Sequence, residues 1–170
     1  FFERGVANEG LGKKDDASAD FNRIIDLTEK NQNVKERATI YAKIADLNYQ
    51  AGKTADGDSN LAKAMRLDPS NADFTIQQGD QHVRLGDYGK AFEYYDKAVQ
   101  QGRTDLDMYV IRTNARMKMV QDKYGTTNAQ ELRAKMTPTE KDQLCVEMKK
   151  AISLGLKDMK QDMFAALVCK

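Results

Sequence analysis

A spacing of 34 residues narrows what this chain can fold into more than any other feature. Gly52 stands 34 positions before Gly86, and Ala64 stands 34 before Ala98. Tyr41, Ile44 and Ala45 precede Thr75, Gln78 and Gly79 by the same interval. Self-similarity at a fixed period of roughly 20–50 residues marks architectures in which one supersecondary unit stacks on copies of itself. The unit is clearest over 73–103, DFTIQQGDQHVRLGDYGKAFEYYDKAVQQGR. Gly86-Asp87 reads as a tight turn between two helices. In the second of these, Tyr88, Ala91, Tyr95 and Ala98 recur at i, i+3, i+7 and i+10, which is one helical face. Close packing explains the small residues. Ala45 and Gly79 let the two helices of a pair approach, Ala64 and Ala98 let the next pair stack, and larger side chains fill the gaps.

These positions resemble the tetratricopeptide (TPR) repeat, whose pattern is W-x2-L-G-x2-Y, then A-x3-F, then P. One copy reads Tyr41-x2-Ile44-Ala45, then Gly57-x3-Leu61, then Pro69. The next reads Gly79, then Ala91-x3-Tyr95, with His82 in the aromatic slot and Arg103 where the proline would stand. The resemblance covers nearly all of the chain. It implies an all-α fold, a right-handed α-solenoid of about four TPR-like helix-turn-helix repeats. It also implies a non-catalytic role, binding a protein or peptide segment in a concave groove. It specifies fold and not partner.

Taken in order, the repeats are expected at about 1–33, 35–69, 71–103 and 105–155, in one domain, with a capping helix over 157–170. Helices are expected over 1–11, 15–30, 35–50, 55–67, 71–85 and 88–101. The polar run Asn31-Gln32-Asn33 ends the second of these. Gly12 lies 40 residues before Gly52, so this loop carries 40 − 34 = 6 extra residues. Ser70 is the expected cap of the helix at 71, Asp87 that of the helix at 88, and Thr104 with Asp107 reads as a capping box. The fourth repeat is irregular. Val120 stands where the period calls for glycine, so its first helix is expected to run on to 123 or 124 and to break at 125–128. A short extra helix over 129–136 follows. Thr137-Pro138-Thr139-Glu140 then gives N-cap, N1 proline and N3 glutamate for a helix running to 153. Ala151 lies 53 residues after Ala98, so 53 − 34 = 19 residues are inserted within this repeat.

Chemistry is sparse. His82 is the single histidine, and its repeat position calls for packing against a neighbouring helix. A zinc site needs about four clustered Cys, His or carboxylate ligands, and no such spacing occurs. No GxGxxG, GxxxxGK[ST] or GxSxG is present. The sequence therefore points to no enzyme and no cofactor. A net charge of +1 gives no bulk attraction to anionic surfaces. No basic patch is interleaved with aromatics, so no nucleic-acid partner is expected. No apolar run approaches the ~18 residues of a membrane span, so no membrane insertion is expected.

Binding information lies on the first helix of each pair. Thr39, Ala42, Asp46 and Tyr49 share one side, as do Asp73, Ile76, Asp80 and Val83, and Asp107, Val110, Asn114 and Met117. Three rows result: apolar (Ala42, Ile76, Val110), acidic or amide (Asp46, Asp80, Asn114), and apolar again (Tyr49, Val83, Met117). Arg84 and Lys118 flank the last row. In TPR-like folds this side lines the groove, although narrow superhelices pack part of it. The expected partner is a protein or peptide segment mixing basic and apolar residues, with Tyr49 and Ile76 as the anchors. The carboxylate clamp of chaperone-binding TPR domains is not matched, because Phe2, Val6, Ala42, Asp46, Ile76 and Asp80 are apolar or acidic. The alternatives are a regulatory or sensor segment of a larger enzyme or signalling protein, and a self-associating scaffold.

Two expectations concern the ends. Phe1 and Phe2 open the sequence without a methionine, and Gly5 precedes Gly12 by the interval separating Gly79 from Gly86. The chain is thus read as a processed or truncated product entering its first repeat three residues in, with a lean toward an exported or periplasmic protein over a cytoplasmic one. The helix after Lys157 is apolar on more than one side through Met159, Met163, Phe164, Leu167 and Val168, which suits packing against a second copy as a homodimer, or against further chain. Cys145 and Cys169 flank Lys157 at equal distance. An antiparallel hairpin would bring them near each other, but buried free thiols are the favoured reading.

Overall fold

The computed structural model describes residues 1–29 and 33–169. Among the described residues there are ten α-helices and no strand: α1 (Phe2–Gly10), α2 (Lys14–Thr28), α3 (Val34–Gln50), α4 (Thr54–Leu67), α5 (Ala72–Arg84), α6 (Tyr88–Gln100), α7 (Leu106–Tyr124), α8 (Ala129–Lys135), α9 (Pro138–Ser153) and α10 (Met159–Val168). The expected elements are all present, within two residues at each described end. Asn31 and Gln32 of the expected loop lie outside the described residues.

The helices end where the sequence places its turn glycines. Gly12, Gly52 and Gly86 have φ of 73°, 75° and 75°. In each case the next residue's N–H reaches back over the turn: Lys13 to Asn8 O, Lys53 to Asn48 O and Asp87 to His82 O, at 2.8–2.9 Å. This 6→1 bond is the Schellman closure, and it needs a residue that tolerates a left-handed backbone. The same geometry at Gly52 and Gly86, 34 residues apart, gives the period a physical meaning, and Gly12, 40 residues before Gly52, repeats it.

Two compact units divide the chain, Phe1–Gln81 and His82–Lys170, with the boundary inside α5. Each unit is described by itself. In the first, α1 packs on α2, α2 on α3 and α3 on α4. Ala17, Phe21, Ile40, Ile44 and Leu47 form one core cluster. Ala38, Ala42, Ala45, Tyr49, Leu61, Ala64 and Phe74 form another. Ala45 and Ala64 are fully buried, as close approach of the helices requires. Gly5 lies against Phe21, where an added Cβ would fall 2.7 Å from Cε1 of the ring. Arg4 of α1 holds the buried Asp20 of α2 through an ion pair.

In the second unit α6 packs on α7, α7 on α9, and α10 on α8 and α9. Val120, Leu132, Met136, Leu144, Met148, Phe164 and Val168 form its core. Val120 is fully buried, and α7 continues through it until Gly125 turns left-handed at φ 65°. The capping box of α9 is formed: Thr137 Oγ1 accepts from Glu140 N at 3.3 Å, and Glu140 Oε2 accepts from Thr137 N at 2.9 Å.

Two caps differ from expectation. α7 is capped by Asp105, which accepts from Met108 N at 3.0 Å, and not by Thr104. Asp105 has the extended backbone of an N-cap and is held by Arg103 Nε at 2.7 Å. At α5 it is Asn71 that accepts from Asp73 N at 3.0 Å, while Ser70 donates to Asp68. Both corrections move the cap one residue on, to a longer side chain that also reaches.

The cysteines are a third correction. Cys145 and Cys169 form a disulfide with Cα atoms 5.5 Å apart, within the range that bridging requires. It joins α9 to the end of α10.

Candidate functional site

The expected groove residues divide between the two units. In the first unit the apolar members are largely committed to the core. Ala42, Tyr49 and Ile76 are only 8%, 8% and 5% exposed. Tyr49 is the clearest departure from expectation. Its ring lies over Gly57 of α4, where an added Cβ would be 2.9 Å from Cζ, and its hydroxyl donates to Asp58 Oδ1 at 2.8 Å. Tyr49 therefore locks α3 to α4 and is not an open anchor. The missing side chain at position 57 leaves the space that the ring takes.

The polar members remain at the surface. Thr39 and Asp73 are exposed, and Asp46 and Asp80 are half-buried. Asp46 accepts from Gln50 Nε2 at 2.7 Å, an i,i+4 contact along α3. Gln77, which the sequence reading did not single out, donates from Nε2 to the carbonyl of Ala42 at 2.8 Å. It sits four residues after Asp73 and three before Asp80, so it shares their side of α5. Asp46 lies one turn beyond Ala42 on α3. The Gln77 bond ties α5 to α3 at Ala42, one turn from Asp46. A half-buried glutamine within an A-helix face was the available signal.

In the second unit Val83, Val110 and Met117 are half-buried, while Arg84, Asp107, Asn114 and Lys118 are exposed. Asn114 Oδ1 accepts from Gln161 Nε2 of α10 at 3.4 Å. Lys118 pairs with Asp122 at 3.0 Å, and Tyr88 donates its hydroxyl to the same carboxylate. Burial, and then that bond, push the Tyr88 phenol up to about 12, so it stays neutral.

The densest charge network of this unit lies elsewhere. Arg112 Nε donates to the buried Glu147 at 2.7 Å, and its Nη1 reaches Asp96 at 2.5 Å. Arg116 lies 4.1 Å from the centroid of the Phe92 ring and 3.6 Å from Glu147, and it donates to Gln143 at 3.1 Å. Burial pulls the Arg116 guanidinium below its ordinary range. Two arginines share one buried carboxylate here, joining α6, α7 and α9. Breaking such a buried network by removing one partner is strongly destabilising, which marks it as structural. His82 is half-buried, stacks on Tyr94 at 5.3 Å, and has Nδ1 3.5 Å from Asp87.

On α10, Met159, Met163 and Leu167 lie on one side at i, i+4 and i+8 and are 78%, 61% and 38% exposed. Phe164 and Val168 are buried on another side.

Helices throughout, turns that repeat the same closure, and small residues at the contact points define a helical repeat protein. Consistent with this, the tetratricopeptide repeat family model matches residues 76–101, the second half of α5 and all of α6. That match, over one repeat-sized stretch, and the all-helical fold together support a protein of the tetratricopeptide-repeat type. Such repeats serve in general as protein–protein interaction modules and are typically non-catalytic. No curated protein matches this chain. No helix among the described residues is long and apolar enough to cross a membrane.

Proposed function

We propose that the chain is a non-catalytic interaction module and that the A-helix side of its first unit receives a protein or peptide segment rich in Lys or Arg. The observation that supports this reading is the Gln77 bond to Ala42 O, which ties α5 to α3 one turn from Asp46, on the side of α5 that Asp73 and Asp80 share by helical spacing. With Ala42, Tyr49 and Ile76 largely buried, apolar contact is a smaller part of the interaction than the sequence rows suggest. The carboxylates then act mainly by attracting a basic segment, so association is fast at low salt and falls as salt screens it. In the second unit Val110 and Met117 with Asp107 and Asn114 offer a more apolar face of the same kind. The disulfide fits an oxidising compartment, in line with an exported protein.

The test is the double change Asp46→Lys with Asp80→Lys, with helicity checked by circular dichroism. A fluorescent peptide alternating lysine with leucine is titrated at low salt and followed by anisotropy. The parent should bind, and the folded variant should lose at least about tenfold in affinity. A folded variant that binds as tightly as the parent refutes this surface.

A further inference from the structure

A second surface of the first unit has the opposite charge. Arg37 and Tyr41 of α3, with Lys63, Arg66 and Leu67 of α4, line an open depression of about 410 Å³. Among the described residues no carboxylate lies within ion-pair distance of Arg37, Lys63 or Arg66. The Lys63 ammonium instead rests 5.3 Å from the centroid of the Tyr41 ring. Arg37 carries a buried donor without an acceptor. Its Nη1 makes one long bond, 3.4 Å to the carbonyl of Glu29, and its Nε is buried with no acceptor.

Ordinary helix electrostatics account for only part of this. Arg66 sits in the last turn of α4, where a cation is favoured. Arg37 sits at the start of α3, where the helix dipole disfavours positive charge. Three uncompensated cations converging on one depression, one with an unused donor, make an arrangement that an anion would complete. Arginine's fork suits a carboxylate in particular.

The floor of the depression selects among anions. Tyr41 and Leu67 are half-buried and offer an apolar surface between the charges. A bare inorganic anion would leave that surface uncovered. An acidic peptide segment covers both, with carboxylates on Arg37, Lys63 and Arg66 and one aromatic or aliphatic side chain on Tyr41 and Leu67. The depression is too open for an enclosed small-molecule site, which buries most of its ligand. We infer that the α3–α4 depression of the first unit is a docking site for an acidic protein segment carrying an apolar side chain among its carboxylates. This site is separate from the carboxylate face proposed above, and it takes a partner of opposite charge.

The experiment uses a fluorescein-labelled dodecapeptide with four glutamates around one phenylalanine, titrated by anisotropy at low salt. The parent should bind, and Arg37→Glu and Lys63→Glu should each weaken binding at least about tenfold. Lys97→Glu, the same charge change on an exposed residue of α6, should leave binding unchanged. Replacing the phenylalanine of the probe by glycine should weaken binding several-fold. Circular dichroism confirms that each variant is folded, and Arg37→Gln serves if Arg37→Glu is not. No binding by the parent, or equal losses in Lys97→Glu and Lys63→Glu, overturns the site. Equal affinity for the glycine probe, or displacement of the peptide by inorganic phosphate at matched ionic strength, reduces it to nonspecific anion attraction and overturns the partner assigned here. The Asp46→Lys with Asp80→Lys variant should bind this probe at least as well as the parent, which separates the two surfaces.

Discussion

Glu140 permits the most exacting test of how the second unit is held together. Its Oε2 accepts from Tyr124 Oη at 2.7 Å, Thr137 N at 2.9 Å and Thr137 Oγ1 at 3.0 Å, and its Oε1 pairs with Lys123 at 2.6 Å. Burial alone would raise its pKa, but the bonds from Lys123, Tyr124 and Thr137 outweigh this and hold it at about 2. The usual value is 4.5. Full conversion of that difference gives a ceiling of about 3 kcal/mol for the ionised form. Lys123 is half exposed, so solvent screening brings the working figure to about 1–2 kcal/mol. Because the folded value is the lower one, this stability is complete above the unfolded pKa of 4.5 and is lost as pH falls through 4.5 toward 2. About half of it is gone by pH ~3. Urea unfolding of the parent and Glu140→Gln should therefore differ by about 1–2 kcal/mol at neutral pH, with the gap narrowing steadily below pH ~4.5. Taking the difference between the two proteins cancels the other carboxylates that titrate in this range. A gap that stays constant from pH 7 to pH 3, or no gap at pH 7, would refute the reasoning.

Substitution at Gly57 should invert the usual effect of removing a helical glycine. Alanine in a helix interior ordinarily stabilises by up to about 1 kcal/mol, but the Tyr49 ring occupies the Cβ position at 57. Gly57→Ala should then cost about 1–3 kcal/mol by urea unfolding, while Gly89→Ala, with no neighbour nearer than 3.9 Å, should be neutral or stabilising. The disulfide closes a separation of 24 residues. On the chain-entropy account, Cys145→Ser with Cys169→Ser should lower stability by about 3 kcal/mol and open α10 to proteolysis. Freshly purified protein denatured without reductant should show no free thiol, and two titratable thiols would contradict the bridge.

The sequence revealed what depends on local geometry and concealed what depends on rotation about helix axes. Turn glycines need a left-handed backbone, and Thr137-Pro138-Thr139-Glu140 carries its own hydrogen-bond partners, so both were legible from a few adjacent residues. The A-helix period puts Tyr49 on the groove side. The deciding fact lay on another helix, in the absence of a side chain at Gly57. The cysteines posed the same difficulty. Leu144 and Val168 are buried, and Cys145 and Cys169 each follow one of them by a single residue. Both therefore sit beside the inward faces of α9 and α10, a relation that equal spacing about Lys157 could suggest but not fix. The basic depression was least visible of all. Arg37, Lys63 and Arg66 read singly as solvated charges, and only the packing of α3 on α4 gathers them around Tyr41, with no carboxylate of the described residues within ion-pair distance. The period of a repeat protein encodes its scaffold. Its recognition chemistry is assembled from residues that the period does not relate, so a partner is sought more surely from charges the fold leaves uncompensated than from rows counted along the helices.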